Sequence, residues 1–377
     1  MRILFLVSSM HGGGAERVAA TLANAWARRG DSVTLVCCYS GRGGCAYALE
    51  EGVRLLWLAD RVRGPRWLRP LDKLRALRAL ARETAPDRVL SFLTNVNVTA
   101  LLATRGLGLP VVVSERTDPA HSVNLEPVLR LLRRWTYPWA RRVVVQTRQS
   151  MPHLMAVAPG TRRLSAIPNP LPDGLPPPRA HEPAAPARRR LAALGRFNPV
   201  KRFEALVEVF AGLAPRHPEW DLVIWGDGPR REACLRRAAE LGLEGRILLP
   251  GRSDAPWREL AGAHAFVLCS AVEGFPNALL EAMALGLPCV AADCPSGPRE
   301  LSREGRDALL VPAGDDAALA AALDRAMSAT PQWREDLGRR AAASVRARYG
   351  LDRILRQWDA AWSEEDPAPE NDEHEPD

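Results

Sequence analysis

Two glutamates, Glu273 and Glu281, stand eight positions apart around the run Gly274-Phe275-Pro276-Asn277. A helical pattern begins at Asn277, which can cap it, and the first turn of a helix leaves free N–H groups with partial positive charge. Such an end suits a phosphate. Glu273 falls in the loop before the helix and Glu281 about one turn inside it, so both can flank one anion held there. Carboxylates do not bind phosphate, but they accept hydrogen bonds from sugar hydroxyls. The pattern fits a nucleotide-sugar site in which each glutamate holds a different ring. A surface loop and a helix with two solvated acids is the plain alternative.

Cations and glycines upstream bear on that choice. The strand-like run 190–194 leads into Gly195-Arg196-Phe197-Asn198-Pro199-Val200-Lys201, where Arg196 and Lys201 can converge on a diphosphate and neutralise a departing nucleotide. Further turns follow further strands: Gly226-Asp227-Gly228-Pro229, then Gly251, whose surroundings can present backbone groups to a base, then residues 295–300. Turns that each follow a strand fall on one edge of a parallel sheet. In the first half, residues 8–17 include Gly12-Gly13-Gly14 and form a lip near a diphosphate or an acceptor. The dinucleotide fingerprint GxGxxG is absent there. After the run 111–113 come Glu115, Arg116, Asp118 and His121. Arg116 can steady a phosphate, Glu115 or Asp118 can take an acceptor hydroxyl, and His121 can move a proton, although a loop histidine without a role is as common.

Strand-like runs alternate with helical patterns throughout, which predicts an α/β protein of two Rossmann-like, doubly wound domains facing a central cleft. Strands are expected near 3–7, 33–37, 88–90, 111–113 and 143–145, and again near 190–194, 222–225, 247–249, 266–268, 289–291 and 309–311. Residues 1–167 form the first domain. Residues 168–189, with eight prolines, read as a linker. Residues 190–345 form the second domain, 346–363 a helix packing back on the body, and 364–377, with eight acids and no Lys or Arg, a disordered tail.

Composition excludes several classes. At 47% hydrophobic and 25% charged the chain is globular, and no apolar run approaches the ~20 residues of a membrane-spanning helix. The first apolar run is too short for a signal peptide, so the cytoplasm is expected. Seven cysteines without CxxC or a Cys/His cluster read as free thiols, not a metal site. Net charge is +7, and basic, Trp-bearing helical stretches at 61–82 and 128–142 point to peripheral contact with an anionic membrane face. Core-packing helices with solvated faces are the alternative there, and no nucleic-acid motif appears.

The glycine lip, Arg196 with Lys201, the Gly226-Asp227-Gly228-Pro229 turn and the Glu273–Glu281 element occur in the order of glycosyltransferase family 4, which the chain resembles over residues 12–281. The resemblance implies the GT-B fold and retaining transfer from a nucleotide sugar, without a metal or other cofactor. It implies that Arg196 and Lys201 hold the donor diphosphate and that Glu273 contacts the transferred sugar. Gly274, Phe275, Pro276 and Asn277 would offer backbone groups, and Glu281 would hold the ribose. Gly13, Gly14, Gly195, Gly226 and Gly251 join the donor set; Glu115, Arg116, Asp118 and His121 form the acceptor set. Many members carry His where this chain has Arg116, so the donor phosphate itself is expected to act as base. The form Ser-Glu-Arg-Thr-Asp-Pro is similar to a subgroup that makes bacterial surface polysaccharide and lipid-linked oligosaccharide. A UDP-sugar donor and a polyprenyl-diphosphate-linked glycan acceptor at the inner membrane face are expected. A UDP-N-acetylglucosamine epimerase and a non-catalytic basic scaffold are the rival readings.

Overall fold

The protein is described here from a computed structural model, in which residues 1–41, 43–62, 69–121, 125–181 and 188–363 are placed. The predicted tail at 364–377, Trp67 of the first basic stretch and part of the proline-rich segment lie outside the described residues. The chain forms two compact units, Leu171–Gly350 and, around it in sequence, Met1–Pro170 with the chain from Leu351.

The first unit carries β1 (Arg2–Val7), β2 (Ser32–Cys37), β3 (Val53–Trp57), β4 (Arg88–Phe92), β5 (Val111–Ser114), β6 (Arg142–Val145) and β7 (Leu164–Ala166). They make one sheet in the order β3-β2-β1-β4-β5-β6-β7, with every pair parallel. A parallel sheet covered by helices on both faces needs strands that are apolar throughout, and Ile3 to Val7 are all buried. Side chains alternate between faces: Ile3, Phe5 and Val7 pack with Trp26 and Phe92, whereas Leu4 and Leu6 pack with Leu77, Leu80 and Tyr137.

The second unit carries β8 (Arg189–Leu194), β9 (Trp220–Trp225), β10 (Ile247–Gly251), β11 (Ala265–Leu268), β12 (Cys289–Asp293) and β13 (Leu309–Pro312), in the order β10-β9-β8-β11-β12-β13 and again all parallel. The order reverses between β8 and β11. Such a reversal opens a crevice at the carboxyl ends of the two strands.

Two elements differ from expectation. Strands β3 and β7 were not anticipated: β3 is half-exposed and β7 has only three residues, so neither leaves a clear apolar run. The final helix is two helices. Pro331–Tyr349 stops at Gly350, and Leu351–Ala360 then packs in the first unit. Ile354, Trp358 and Trp362 enter its core, with Trp358 against Phe92 at 5.9 Å and Trp362 against Trp26 at 5.9 Å between ring centroids. Arg29 and Arg88 both donate to Asp359 and fix the register of this helix.

Candidate functional site

In the second unit the predicted residues converge where the strand order reverses. Lys201 follows β8 and Glu273 follows β11, and Lys201 Nζ donates to Glu273 Oε1 at 2.6 Å. Their side chains are 19% and 10% exposed, so the pair is largely withdrawn from water yet open on one side. Asn198 forms the turn that places Lys201: its side chain accepts from Lys201 N–H at 3.2 Å. The loop after β11 is tied to the same turn by Ala271 N–H donating to Val200 C=O at 2.8 Å. Arg196 is exposed beside this pair in sequence, and its guanidinium has no partner among the described residues.

The glycine turns zip these loops together. Gly195 N–H donates to Trp225 C=O at 3.0 Å, Gly226 N–H to Gly251 C=O at 2.8 Å, and Phe197 N–H to Asp227 C=O at 2.9 Å. Gly226 has φ +140°, and a Cβ there would lie 1.8 Å from the Gly195 carbonyl oxygen. Only glycine lets the two strand ends meet this closely.

The helix Asn277–Ala284 starts where predicted, but Asn277 is not its cap. Pro276 occupies that position and no side chain caps the end, because the Gly-Phe-Pro turn brings the proline ring to the helix start. Phe275 and Pro276 are buried, and Gly274 and Asn277 half-buried. Pro276 abuts Gly297, whose φ of +123° turns the loop after β12 against it. Glu281 lies in the second turn, 1% exposed, and accepts from Trp257 Nε1 at 2.9 Å. A ribose hydroxyl would reach this carboxylate only by sharing it with Trp257. Sequence reasoning missed Trp257, which lies in the first turn of the short helix Pro256–Ala261 after β10 and has no distinctive spacing.

In the first unit the helix Gly14–Arg28 begins at the glycine lip. Tyr47 clamps Gly13: its hydroxyl accepts from Gly13 N–H at 3.0 Å and donates to Gly13 C=O at 2.8 Å. Tyr47 was also missed, since it sits thirty-odd residues downstream in an irregular loop.

Three members of the predicted acceptor set are buried. Glu115 does not face outward: it is 1% exposed and accepts from Thr94 Oγ1 at 2.7 Å and Tyr137 OH at 2.5 Å. Burial pushes its carboxyl above the usual range, against the opposing pull of these two donors. Arg116 is buried too. It donates to Asn169 and, more weakly, to Ser114, and lies over the Phe92 ring at 4.1 Å. Burial pulls its guanidinium down to about 9. Asp118 is buried and bonded to both His121 and His153. Glu115 and Asp118 therefore position other groups, and His121 is the member of the set that is open to solvent.

A family model described as glycosyl transferases group 1 matches residues 179–344, and one described as a glycosyl transferase 4-like domain matches residues 13–170. The chain belongs to glycosyltransferase family 4. This glycosyltransferase is 36% identical over 43% of its length to a lipopolysaccharide 1,6-galactosyltransferase of Salmonella typhimurium, of which it covers 45%. It is 26% identical over 95% of its length to an α-1,4-N-acetyl-D-galactosaminyltransferase of Campylobacter jejuni, whose substrate is named as an undecaprenol-linked glycan and of which it covers 97%. Thus the chain spans less than half of one curated relative and nearly all of another. An Anabaena protein solved in complex with UDP and glucose superposes with a TM-score of 0.78 at 19% identity, covering 95% of this chain and 98% of that one, which shows the GT-B fold.

Proposed function

We propose that this glycosyltransferase moves a hexose or N-acetylhexosamine from a UDP-sugar to a saccharide carried on a polyprenyl diphosphate, with retained configuration, in surface polysaccharide or lipid-linked glycan synthesis. The observation that carries the reading is the Lys201–Glu273 pair at the reversal of the second sheet, with Arg196 open beside it in sequence. The diphosphate of the donor draws Lys201 and Arg196 onto its oxygens, and Glu273, released from Lys201, accepts from the hydroxyls of the transferred sugar. The acceptor oxygen bonds to the anomeric carbon as the bond from that carbon to the diphosphate breaks. The acceptor's proton passes to the leaving phosphate oxygen, on the same face. The two cations and the helix start at Asn277 stabilise the charge that develops, so the reaction runs without a divalent ion.

Two named relatives support this reading: the Campylobacter enzyme by its undecaprenol-linked substrate and the Anabaena structure by its UDP and glucose. The helix Pro127–Thr136 supports contact with the membrane that would hold such an acceptor. Val128, Leu131 and Trp135, at i, i+3 and i+7, are 67%, 57% and 67% exposed on one face, bordered by exposed Arg130 and Arg134. No helix among the described residues is long and apolar enough to cross a membrane.

Incubation with a panel of UDP- and GDP-sugars, with and without EDTA, tests the chemistry. Slow release of free sugar and UDP, insensitive to EDTA, is expected. Turnover confined to GDP-sugars or lost with EDTA overturns the donor and metal assignments, and a new nucleotide sugar as product makes the protein an epimerase. Flotation with anionic vesicles tests the docking: binding should fade with salt and be lost in Leu131→Glu. Salt-insensitive or variant-insensitive flotation refutes it.

A further inference from the structure

One buried carboxylate in the first unit orients two histidines that are distant in sequence. The Asp118 side chain is 0% exposed and accepts from Nδ1 of His121 at 3.2 Å and Nδ1 of His153 at 2.9 Å. Ser150 Oγ and the Ala120 N–H each add a bond to it at 2.9 Å. An ionised carboxylate only accepts. Both rings therefore carry hydrogen on Nδ1 and turn Nε2 away from Asp118. Neither Nε2 has a partner among the described residues. The rings are 37% and 33% exposed and meet edge to face with centroids 6.2 Å apart.

Their place in the fold is that of a ligand group. His121 ends the short turn Pro119–His121 after β5, and His153 lies in the first turn of the helix Ser150–Val157 after β6. Strands β5 and β6 are neighbours, so both rings stand at the carboxyl edge of the sheet, where open α/β sheets take ligands. A carboxylate removed from water must be compensated, and packing both rings inside would have done so. Instead the rings stay open while their anchor is closed. Two ring nitrogens held side by side suit a ligand that carries several hydroxyls. Saccharide hydroxyls, which both donate and accept, can pair with each Nε2.

We propose that His121 and His153, set by Asp118 as positioning residue, form a paired site for the hydroxyls of the acceptor saccharide. The proposal rests on the transferase reading and names where its acceptor is gripped. The test is calorimetry on the whole protein with UDP and, separately, with octyl galactoside, octyl glucoside and octyl N-acetylgalactosaminide. Wild type should bind UDP and at least one octyl glycoside. His121→Phe and His153→Phe should each weaken glycoside affinity about tenfold, the scale of one lost hydrogen bond, with UDP affinity unchanged and the melting temperature lowered because Asp118 loses a donor. His153→Gln, whose carbonyl oxygen can accept in place of Nε2, should recover part of the loss, and a purely structural role would show no such recovery. Asp118→Asn should weaken glycoside binding as well, because the rings lose their fixed tautomer. Unchanged glycoside affinity in both Phe variants overturns the proposal while UDP binding leaves the transferase reading standing. Absence of any glycoside binding to wild type overturns it likewise, and absence of UDP binding sinks the transferase reading itself.

Discussion

Replacing Lys201 by Met separates what the Lys201–Glu273 pair does for the fold from what it does for the reaction. Met keeps much of the aliphatic stem and removes the charge. Glu273, 10% exposed, is then left with no cation at the 2.6 Å contact. Stranding one member of a fully buried pair costs about 3–5 kcal/mol. The Lys201 side chain is 19% exposed, so water screens part of that loss and a cost of about 1–3 kcal/mol is expected. In a unit of this size each kcal/mol lowers the melting temperature by roughly 2–4 °C. Adding Glu273→Gln removes the stranded charge. The double variant should therefore melt above Lys201→Met alone, with a coupling of about 1–2 kcal/mol in the cycle. Activity should behave in the opposite way. If Lys201 meets the leaving diphosphate, both variants lose about 10²–10³ in turnover, and repairing stability returns none of it. Scanning calorimetry on the four proteins and UDP release with the best donor provide the numbers. Additive melting shifts would refute the pair's energetic coupling. Wild-type turnover in Lys201→Met would refute its place at the diphosphate.

Three other perturbations follow from the packing. Trp358→Ala empties a 0% exposed site in the first unit and should cost about 3–5 kcal/mol, read by chemical denaturation. Gly226→Ala sets a Cβ 1.8 Å from Gly195 C=O at a φ of +140°, so it should cost at least about 2 kcal/mol and lower UDP affinity; a neutral melt would mean the strand ends relax freely. Arg116 holds its proton less tightly in the folded state, at about 9, below the ordinary guanidinium range, so the folded state binds fewer protons from about pH 9 up to that range. Its burial thus weakens the fold at pH 7, and the deficit shrinks only as pH rises above about 9. Arg116→Met should melt no lower than wild type at pH 7, and a large fall would show that its bonds to Asn169 and Ser114 outweigh the burial.

Much of this was legible because it depends on near neighbours in the chain. Parallel strands buried on both faces leave continuous apolar runs, and the turns after β8, β9, β10 and β12 are marked by glycine or proline. Lys201 and Glu273 were each identified from their place after a strand, but their bond is set by the adjacency of β8 and β11, which no local spacing encodes. The burial of the acceptor set escaped for a related reason. Glu115, Arg116 and Asp118 are polar residues in a loop, which reads as exposure, yet Tyr137, Asn169 and His153 arrive from later elements and bond them inside. Residue type announces that a carboxylate needs partners; it does not say whether those partners are protein or substrate.

The return of the helix Leu351–Ala360 to the first unit has a consequence for synthesis. The unit begun first is the last to be finished. While Leu171–Gly350 emerges and can close its own core, the patch around Phe92 and Trp26 waits uncovered for Trp358 and Trp362. A ribosome stalled before Leu351 would hold a finished second unit beside an unsealed first one, and exposed aromatic surface of that kind is what chaperones bind. A chain that stops before Leu351 would thus leave Phe92 and Trp26 without their cover although its donor-side loops are intact.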